Sequence, residues 1–162
     1  HKLSESHPSL KRDIPGLPIG YSELDAFFKM PHITVVDGKY CFNPQMEWTG
    51  GGMASTTSDL AKWAKLYFKG DLFSDSLKKK IITPNRNAMR LSDKLAYGAG
   101  SFIYYTDLGI AYGHTGFVPG FNSIMAYFPK EKIVMAMQIN CDYAKKNMEL
   151  VDYLGEVLEV MR

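Results

Sequence analysis

The chain has 162 residues, 46% of them hydrophobic and 13% aromatic, which is more apolar and aromatic side chain than a disordered chain carries. This length fits one domain, or a large piece of one, with a core of its own. The formal net charge is only +2 and basic residues are interspersed with acidic ones, so nucleic acid is not an expected partner.

The first fifty residues are rich in proline, and this density disfavours long helices and central strands. The prolines are Pro8, Pro15, Pro18, Pro31 and Pro44. We interpret this part as an irregular, loop-dominated segment that lies against something else. A free-standing domain rarely begins with so much irregular chain, so we expect the sequence to be a portion of a larger domain.

Two helices are predicted next. Thr56 is placed to cap the first helix, and we expect Asp59 to reach back to the free N–H groups of its first turn. This helix is predicted to end at Gly70. Its predicted buried stripe consists of Leu60, Trp63, Ala64, Tyr67 and Phe68. A second, short helix is predicted from about 74 to 82, before Pro84.

The pattern then changes to four runs of β-favouring residues, at 97–106, 110–115, 121–128 and 132–139. Short turn segments separate them, so they predict an antiparallel meander. Both alternating sets of run 121–128 are largely apolar, as expected when helices cover both faces of a sheet. An amphipathic helix is predicted over about 143–161, and its apolar stripe consists of Met148, Val151, Leu154, Leu158 and Met161. The predicted fold class is α+β, with an antiparallel sheet of three to four strands packed against the C-terminal helix.

Residues 112–123 are the most informative for function. A strand ends in His114-Thr115-Gly116, and a glycine-bounded loop returns the chain to the next strand. A ligand can therefore approach the backbone closely while two polar side chains face it, as a carbonyl or carboxylate requires. Taken alone, His114 reads as an ordinary half-buried strand histidine.

Four motifs in their order and spacing resemble the second half of the class C β-lactamase-like serine hydrolases and penicillin-binding proteins, from about Ile14 onward. They are Gly50-Gly51-Gly52-Met53 with Ser55-Thr56 and Asp59-Leu60-Ala61-Lys62, Tyr97-Gly98-Ala99-Gly100, Gly113-His114-Thr115-Gly116 with Pro119-Gly120-Phe121, and a strand ending at Asn140. The resemblance implies the β-lactamase/transpeptidase-like fold. It assigns 1–95 to part of the all-helical subdomain with its connections and 96–162 to the sheet and last helix, together an incomplete catalytic domain.

The resemblance also implies a site with three motifs: Ser-x-x-Lys, Tyr-x-Asn or Ser-x-Asn, and Lys-Thr-Gly. His114 takes the place of the lysine, so His114 and Thr115 are the implied catalytic residues, which orient substrate and proton-transfer groups. Gly116 and Phe117 are implied in substrate binding, the Phe117 N–H supplying half of the oxyanion hole. No metal and no organic cofactor is implied. Histidine favours an esterase, a peptidase or a penicillin-binding-like enzyme over a specialised β-lactamase, because lysine carries a full charge at pH 7 and histidine mostly does not.

The sequence contains neither Tyr-x-Asn nor Ser-x-Asn, and its one Ser-x-x-Lys begins at Ser76 in a charged helix that we interpret as solvent-exposed. We therefore expect no nucleophile in this chain, and no turnover by it alone. Expected partners are a small molecule or peptide with an amide or ester carbonyl, and either a missing N-terminal segment or a second copy across an open sheet edge. The resemblance favours a periplasmic, secreted or otherwise extracytoplasmic location. The alternatives are a non-catalytic binding module of the same fold and a structural interaction domain.

Overall fold

The N-terminal half combines short strands with two helices. A computed structural model describes residues 3–24, 29, 31–83, 89–142 and 149–162. The elements of this half are β1 (His7–Pro8), β2 (Val35–Val36), β3 (Lys39–Tyr40), a 3-10 helix (Pro44–Gly50), β4 (Met53–Ala54), α1 (Thr57–Lys69) and α2 (Asp75–Ile82). β1 pairs with β4, and β2 pairs with β3, in both cases antiparallel. The proline-rich segment thus contains only two-residue strands and one 3-10 helix in its described part.

The C-terminal half is one antiparallel sheet followed by a helix. Its elements are β5 (Met89–Ser92), β6 (Leu95–Tyr97), β7 (Phe102–Thr106), β8 (Gly109–Val118), β9 (Phe121–Phe128), β10 (Ile133–Ile139) and α3 (Glu149–Val160). The strands lie in the order β10-β9-β8-β7-β6-β5, so each one pairs with its neighbour in sequence. The α+β class and the meander are confirmed. The sheet has six strands in the described ranges, where three to four were predicted.

The two additional strands come from residues whose pattern is weak. The run 97–106, predicted as one strand, is interrupted after Tyr97 by a turn in which the Gly98 N–H donates to the Ser101 carbonyl. Gly100 in this turn has a φ of +79°, which a residue with a side chain rarely adopts. β5 is only four residues long and has a shift of register between Arg90 and Ser92, so its apolar–polar alternation is too short to predict a strand.

Helices cover both faces of the sheet, as the pattern in β9 predicts. On one face, α3 inserts Leu150, Leu154 and Leu158, each at most 2% exposed, against Ile124 and Phe128. On the other face, α1 and α2 contribute a second core, which contains Ala64, Phe68, Ile81, Ala96, Ile103 and Tyr112. Burial of each large apolar side chain contributes about 1.5–3 kcal/mol, so these two cores are the main stabilisation of the sheet.

Helix α1 begins and ends where the sequence predicts. The Thr56 hydroxyl accepts a hydrogen bond from the Asp59 N–H at 3.2 Å, and Gly70 caps the other end. The predicted buried stripe is confirmed in part: Ala64 and Phe68 are buried, Leu60 and Tyr67 are half-buried, and Trp63 is 36% exposed. The expectation for Asp59 was wrong. Its carboxylate, 1% exposed, instead accepts hydrogen bonds from the Glu5 N–H at 2.8 Å and from Lys62 Nζ at 2.9 Å.

The other two helices also follow their patterns within the described ranges. α2 is capped by the Ser74 hydroxyl, which accepts from the Leu77 N–H. α3 buries Val151, Leu154 and Leu158 as predicted, whereas Met161 at its end is 63% exposed. The predicted start of this helix, at 143–148, and Pro84 lie outside the described residues. None of the helices described is both long and apolar enough to cross a bilayer.

A third, smaller core joins the N-terminal segment to the sheet. Ile14, Val35 and Tyr40 are buried there, and Val118 and Phe121 pack against them from the two ends of the β8–β9 connection. Of the three consecutive glycines Gly50, Gly51 and Gly52, only Gly52 is tightly packed. A Cβ at Gly52 would lie 3.2 Å from the Trp48 carbonyl oxygen, whereas a Cβ at Gly51 would meet nothing within 4 Å.

Candidate functional site

Strand β8 carries the His-Thr-Gly motif near the middle of the sheet. On one side of β8 lies β7, whose first residue, Phe102, pairs with Gly113. β8 continues for five residues beyond this pair, to Val118, and these five residues have no partner in β7. On the other side β9 stays paired throughout, from Tyr112↔Tyr127 to Val118↔Phe121. Within the described part of the chain, residues 114–118 therefore pair on one edge only. Alternate backbone groups of an antiparallel strand point toward that open edge, where a ligand can reach them.

Both ring nitrogens of His114 have a partner. Nδ1 lies 2.6 Å from the Thr115 carbonyl oxygen, which can only accept, so Nδ1 carries a proton. Nε2 lies 3.2 Å from the Tyr97 hydroxyl, which donates to it when the imidazole is neutral. The imidazole ring of His114 also packs against the ring of Phe102, with their centroids 4.9 Å apart. His114 is half-buried, so it lies at a boundary between core and solvent.

The next three residues follow along the same strand. Thr115 is half-buried and pairs with Ile124, and Gly116 pairs with Ser123. A Cβ on Gly116 would lie 2.5 Å from the Ser123 hydroxyl, so a side chain at Gly116 would displace that hydroxyl. Phe117 is 46% exposed, which leaves its surroundings open to solvent on at least one side. The four residues predicted from the sequence are consecutive on β8, so their side chains alternate between the two faces of the sheet.

The serine–lysine spacing at Ser76 lies in a different environment. Ser76 and Lys79 are both exposed on α2, and the Ser76 hydroxyl is 3.1 Å from that of Ser74. Lys78 pairs with Asp75 at 2.8 Å. A lysine acts as a base when burial lowers its pKa, and an exposed helix face does not provide this.

Two surface depressions lie elsewhere on the chain. One, of about 520 Å³, is formed by the 3-10 helix and is lined by Asn43, Gln45, Met46 and Trp48. The other, of about 460 Å³, lies beside α1 and is lined mainly by lysines and Leu3. Neither of these two depressions includes the His-Thr-Gly strand.

Sequence reasoning missed the contact between Tyr97 and His114. Tyr97 belongs to a motif that supports the resemblance, but its position beside the imidazole depends on the pairing of β6 with β7 and of β7 with β8. The rings of Tyr97 and His114 meet edge to face, with centroids 5.7 Å apart. No local pattern at residue 97 indicates this contact.

An antiparallel sheet with helices on both faces is the architecture of the β-lactamase/transpeptidase-like fold, and the His-Thr-Gly motif lies on a strand in the middle of this sheet. The profile of the Beta-lactamase family matches residues 6–158, nearly the whole chain. The chain therefore belongs to the Beta-lactamase family. No curated protein sequence matches it.

Solved structures agree with this fold. The chain is similar to the D-amino acid amidase of Ochrobactrum anthropi SV3, with a TM-score of 0.75 and 22% identity over 99% of this chain and 48% of the amidase. It is similar to a D-stereospecific amidohydrolase of a Streptomyces species, with a TM-score of 0.70 and 20% identity over 91% of this chain and 43% of that one. It is also similar to a penicillin binding protein of Bacillus halodurans, with a TM-score of 0.62 and 20% identity over 94% and 45%. The chain spans less than half the length of each.

Proposed function

We propose that this chain is the C-terminal portion of a serine hydrolase that cleaves an amide or ester through an acyl-serine intermediate. The observation that carries the proposal is the open edge of β8 at residues 114–118, with a His-Thr-Gly motif on it. The family membership supports hydrolysis, and the length of the similar structures supports a division of the site between this chain and further polypeptide.

His114 and Thr115 orient the substrate in this proposal, and Gly116 and Phe117 shape the backbone that receives its carbonyl. The Phe117 N–H stabilises the oxyanion together with an N–H of the nucleophile's own segment. Because Nδ1 of His114 is bonded to a carbonyl, Nε2 is the nitrogen that exchanges its Tyr97 partner for a group of the substrate or the nucleophile. Neither a metal nor a cofactor takes part in these steps.

The reactive serine and its lysine belong to polypeptide outside this sequence. Ser76 and Lys79 do not fit the role, since both are exposed on α2. Covalent acyl transfer requires a nucleophile within hydrogen-bond reach of its base. The chain by itself is therefore inactive in this proposal.

The preceding N-terminal segment is the proposed partner, and β10 is the edge that receives it. In the described ranges β10 pairs with β9 alone, and six of its seven residues are partly buried. Beside it, α3 exposes an apolar stripe made of Tyr153, Val157 and Val160. This stripe lies on the side of α3 opposite Gly155, which faces Leu108 in the β7–β8 turn. It therefore overhangs the β10 side, and an added strand and helix would cover both surfaces.

Active-site labelling tests this division. Full-length protein is incubated with a fluorophosphonate, digested, and analysed by mass spectrometry, and the 162-residue chain is treated in the same way. We expect one adduct, on a serine outside residues 1–162, and none on the chain alone. An adduct on Ser76, or turnover of substrate by the chain alone, would contradict the proposal.

The His-Thr-Gly strand is tested by His114→Ala in the full-length protein, with His32→Ala as the matched control. His32 is exposed, and its side chain bonds the Ser22 carbonyl, which lies outside the six-stranded sheet, so we expect its loss to leave that sheet intact. A panel of a chromogenic ester, a β-lactam and an amide of a D-amino acid covers the substrate classes. We expect H114A to lower kcat/KM about 100-fold or more on the preferred substrate. Ligand binding without any adduct or turnover would instead identify a non-catalytic binding module.

A further inference from the structure

The two-residue turn between β8 and β9 has an unusual geometry for a hairpin. Val118 pairs with Phe121, so Pro119 and Gly120 alone form the connection. Proline in the first position and a φ of +85° at Gly120 in the second are the features of a type II turn. The twist of a type II turn does not match that of paired strands, which favour types I′ and II′. Contacts from outside the hairpin are therefore expected to hold this turn.

Two buried side chains supply such contacts, one at each end of the Pro119–Gly120 peptide. The Tyr40 hydroxyl donates to the Pro119 carbonyl at 2.7 Å, and the Gly120 N–H donates to the Asp142 carboxylate at 2.8 Å. Tyr40 is 2% exposed and Asp142 is 1% exposed. The C=O and N–H of a trans peptide point in opposite directions, so the two partners hold the peptide from opposite sides.

Asp142 is itself fixed in place. It accepts hydrogen bonds from the Ser22 hydroxyl at 2.5 Å and from the Glu23 N–H at 2.8 Å. Its own N–H donates to the Tyr21 carbonyl at 3.1 Å, which anchors the backbone at the end of β10. A carboxylate held by three donors cannot follow the Gly120 N–H if that peptide rotates. Rotation would therefore break the bond from Gly120 and leave a buried charge with one donor fewer.

Tyr40 is fixed by its packing. Its ring lies 4.6 Å from that of Phe42, between centroids, and 6.1 Å from that of Phe121. Burial, with smaller contributions from Cys41 and Asp142, raises the pKa of the Tyr40 hydroxyl well above its ordinary value. The hydroxyl is therefore protonated at every physiological pH and stays available as a donor.

We propose that Tyr40 and Asp142 are positioning residues, which lock the Pro119–Gly120 peptide in one orientation and so fix the backbone of Gly116 and Phe117. Phe117 lies three residues before Gly120, on a stretch of β8 that has a paired neighbour on one side only. Rotation of the turn peptide would change the register and twist of β8 against β9 at the residues that offer the oxyanion its N–H. The kinetic part of this inference rests on the proposed hydrolase function, whereas the structural part does not.

The test uses full-length protein with Tyr40→Phe and Asp142→Asn, which keep the shape of each side chain. Tyr40→Phe removes the donor to the Pro119 carbonyl, and Asp142→Asn replaces one of the two accepting oxygens with an NH2 group that cannot accept, so the side chain can no longer satisfy the N–H groups of both Gly120 and Glu23. Matched controls are Tyr67→Phe and Asp59→Asn. Tyr67 is a partly buried tyrosine of α1, and Asp59 is a carboxylate 1% exposed, with contacts to Glu5, Ser6 and Lys62. Ser22→Ala, which removes one of the donors to Asp142, provides a milder variant should D142N fail to fold.

The first measurement is amide hydrogen exchange over residues 116–121. We expect Y40F and D142N to accelerate exchange there about tenfold or more, with S22A intermediate and both controls unchanged. The second is kinetics on the preferred substrate, where kcat falls about 10–100-fold in Y40F and D142N while KM stays within about threefold.

If the wild-type protein has no hydrolase activity, the proposed function is wrong. The hydrogen-exchange measurement then tests the inference about the turn by itself. The inference itself is overturned by unchanged exchange at residues 116–121 in Y40F and D142N. It is equally overturned if D59N and Y67F accelerate exchange in this segment as much as the two test variants do, since a general loss of stability would then explain the effect.

Discussion

Glycine at position 120 is required for two separable reasons, and a pair of alanine variants separates them. At Gly38, in the turn between β2 and β3, φ is +72° and a Cβ would meet nothing within 4 Å. Gly38→Ala therefore carries only the cost of a left-handed backbone, about 1–2 kcal/mol. At Gly120 the φ of +85° imposes the same cost, and a Cβ would also lie 2.2 Å from the Thr34 hydroxyl and 3.0 Å from the Gly20 backbone.

Thr34 is fully buried and Gly20 meets the turn through its main chain, so neither can move aside cheaply. Overpacking of this kind costs about 1–3 kcal/mol. Added to the backbone cost, this gives about 2–5 kcal/mol for Gly120→Ala, an excess of about 1–3 kcal/mol over Gly38→Ala. Urea denaturation of the full-length protein, followed by circular dichroism, measures both values. Equal losses of stability, within about 0.5 kcal/mol, would refute the packing of the β8–β9 turn against the N-terminal segment.

Two further predictions concern the core and the pH dependence of stability. Leu154→Ala removes a side chain 2% exposed between α3 and the sheet, so we expect a loss of about 2–5 kcal/mol. The control is Leu77→Ala on α2, whose side chain is 42% exposed and for which we expect a loss of less than about 1 kcal/mol; urea denaturation of both variants checks this. Hydrogen bonds from Lys62 and the Glu5 N–H lower the pKa of Asp59 in the folded protein. The stability that ionised Asp59 contributes to the fold is therefore present above the ordinary carboxyl pKa, and it is lost as the pH falls through the lowered pKa of the folded state. The difference in Tm between wild type and Asp59→Asn, measured from pH 6 downward, should therefore shrink below about pH 4, and a difference that persists unchanged at low pH would contradict the ion pair.

The elements that sequence reasoning located are those whose signals are local. Helix α1 has a cap at Thr56, an apolar period and a terminating Gly70 within a short stretch of chain, and each signal agrees with the others. Strand β9 shows apolar residues at both alternating sets of positions, which predicts helices on both faces before any tertiary contact is known. The strand that carries His114, Thr115 and Gly116 was predicted in the same way, from consecutive residues, and its role in a site stays a prediction.

The features that were missed depend on contacts between distant residues. Asp59 has the sequence position of a residue that faces its own helix N-terminus, yet its partner is the Glu5 N–H, 54 residues away. The strand predicted over 97–106 was divided because Gly98 and Gly100 favour a turn, a preference that competes with the β-favouring residues around them. Tyr97 and Asp142 lie 17 and 22 residues from the groups that they contact, and no period or motif encodes such a distance.

The open edge of β8 and the clamped turn beyond it are linked by one physical requirement. An oxyanion donor is effective when its N–H is already oriented before charge develops, and a strand paired on both sides obtains this rigidity from its two neighbours. Residues 114–118 pair with β9 alone, since β7 begins opposite Gly113. The missing restraint has to come from the ends of the segment. At one end the Tyr97 hydroxyl contacts His114, and at the other Tyr40 and Asp142 hold the peptide of the turn. In the proposed hydrolase, an edge left free for substrate is compatible with a rigid backbone only while both ends are held. Loss of the Tyr40 hydroxyl is therefore expected to slow a reaction that Tyr40 does not contact.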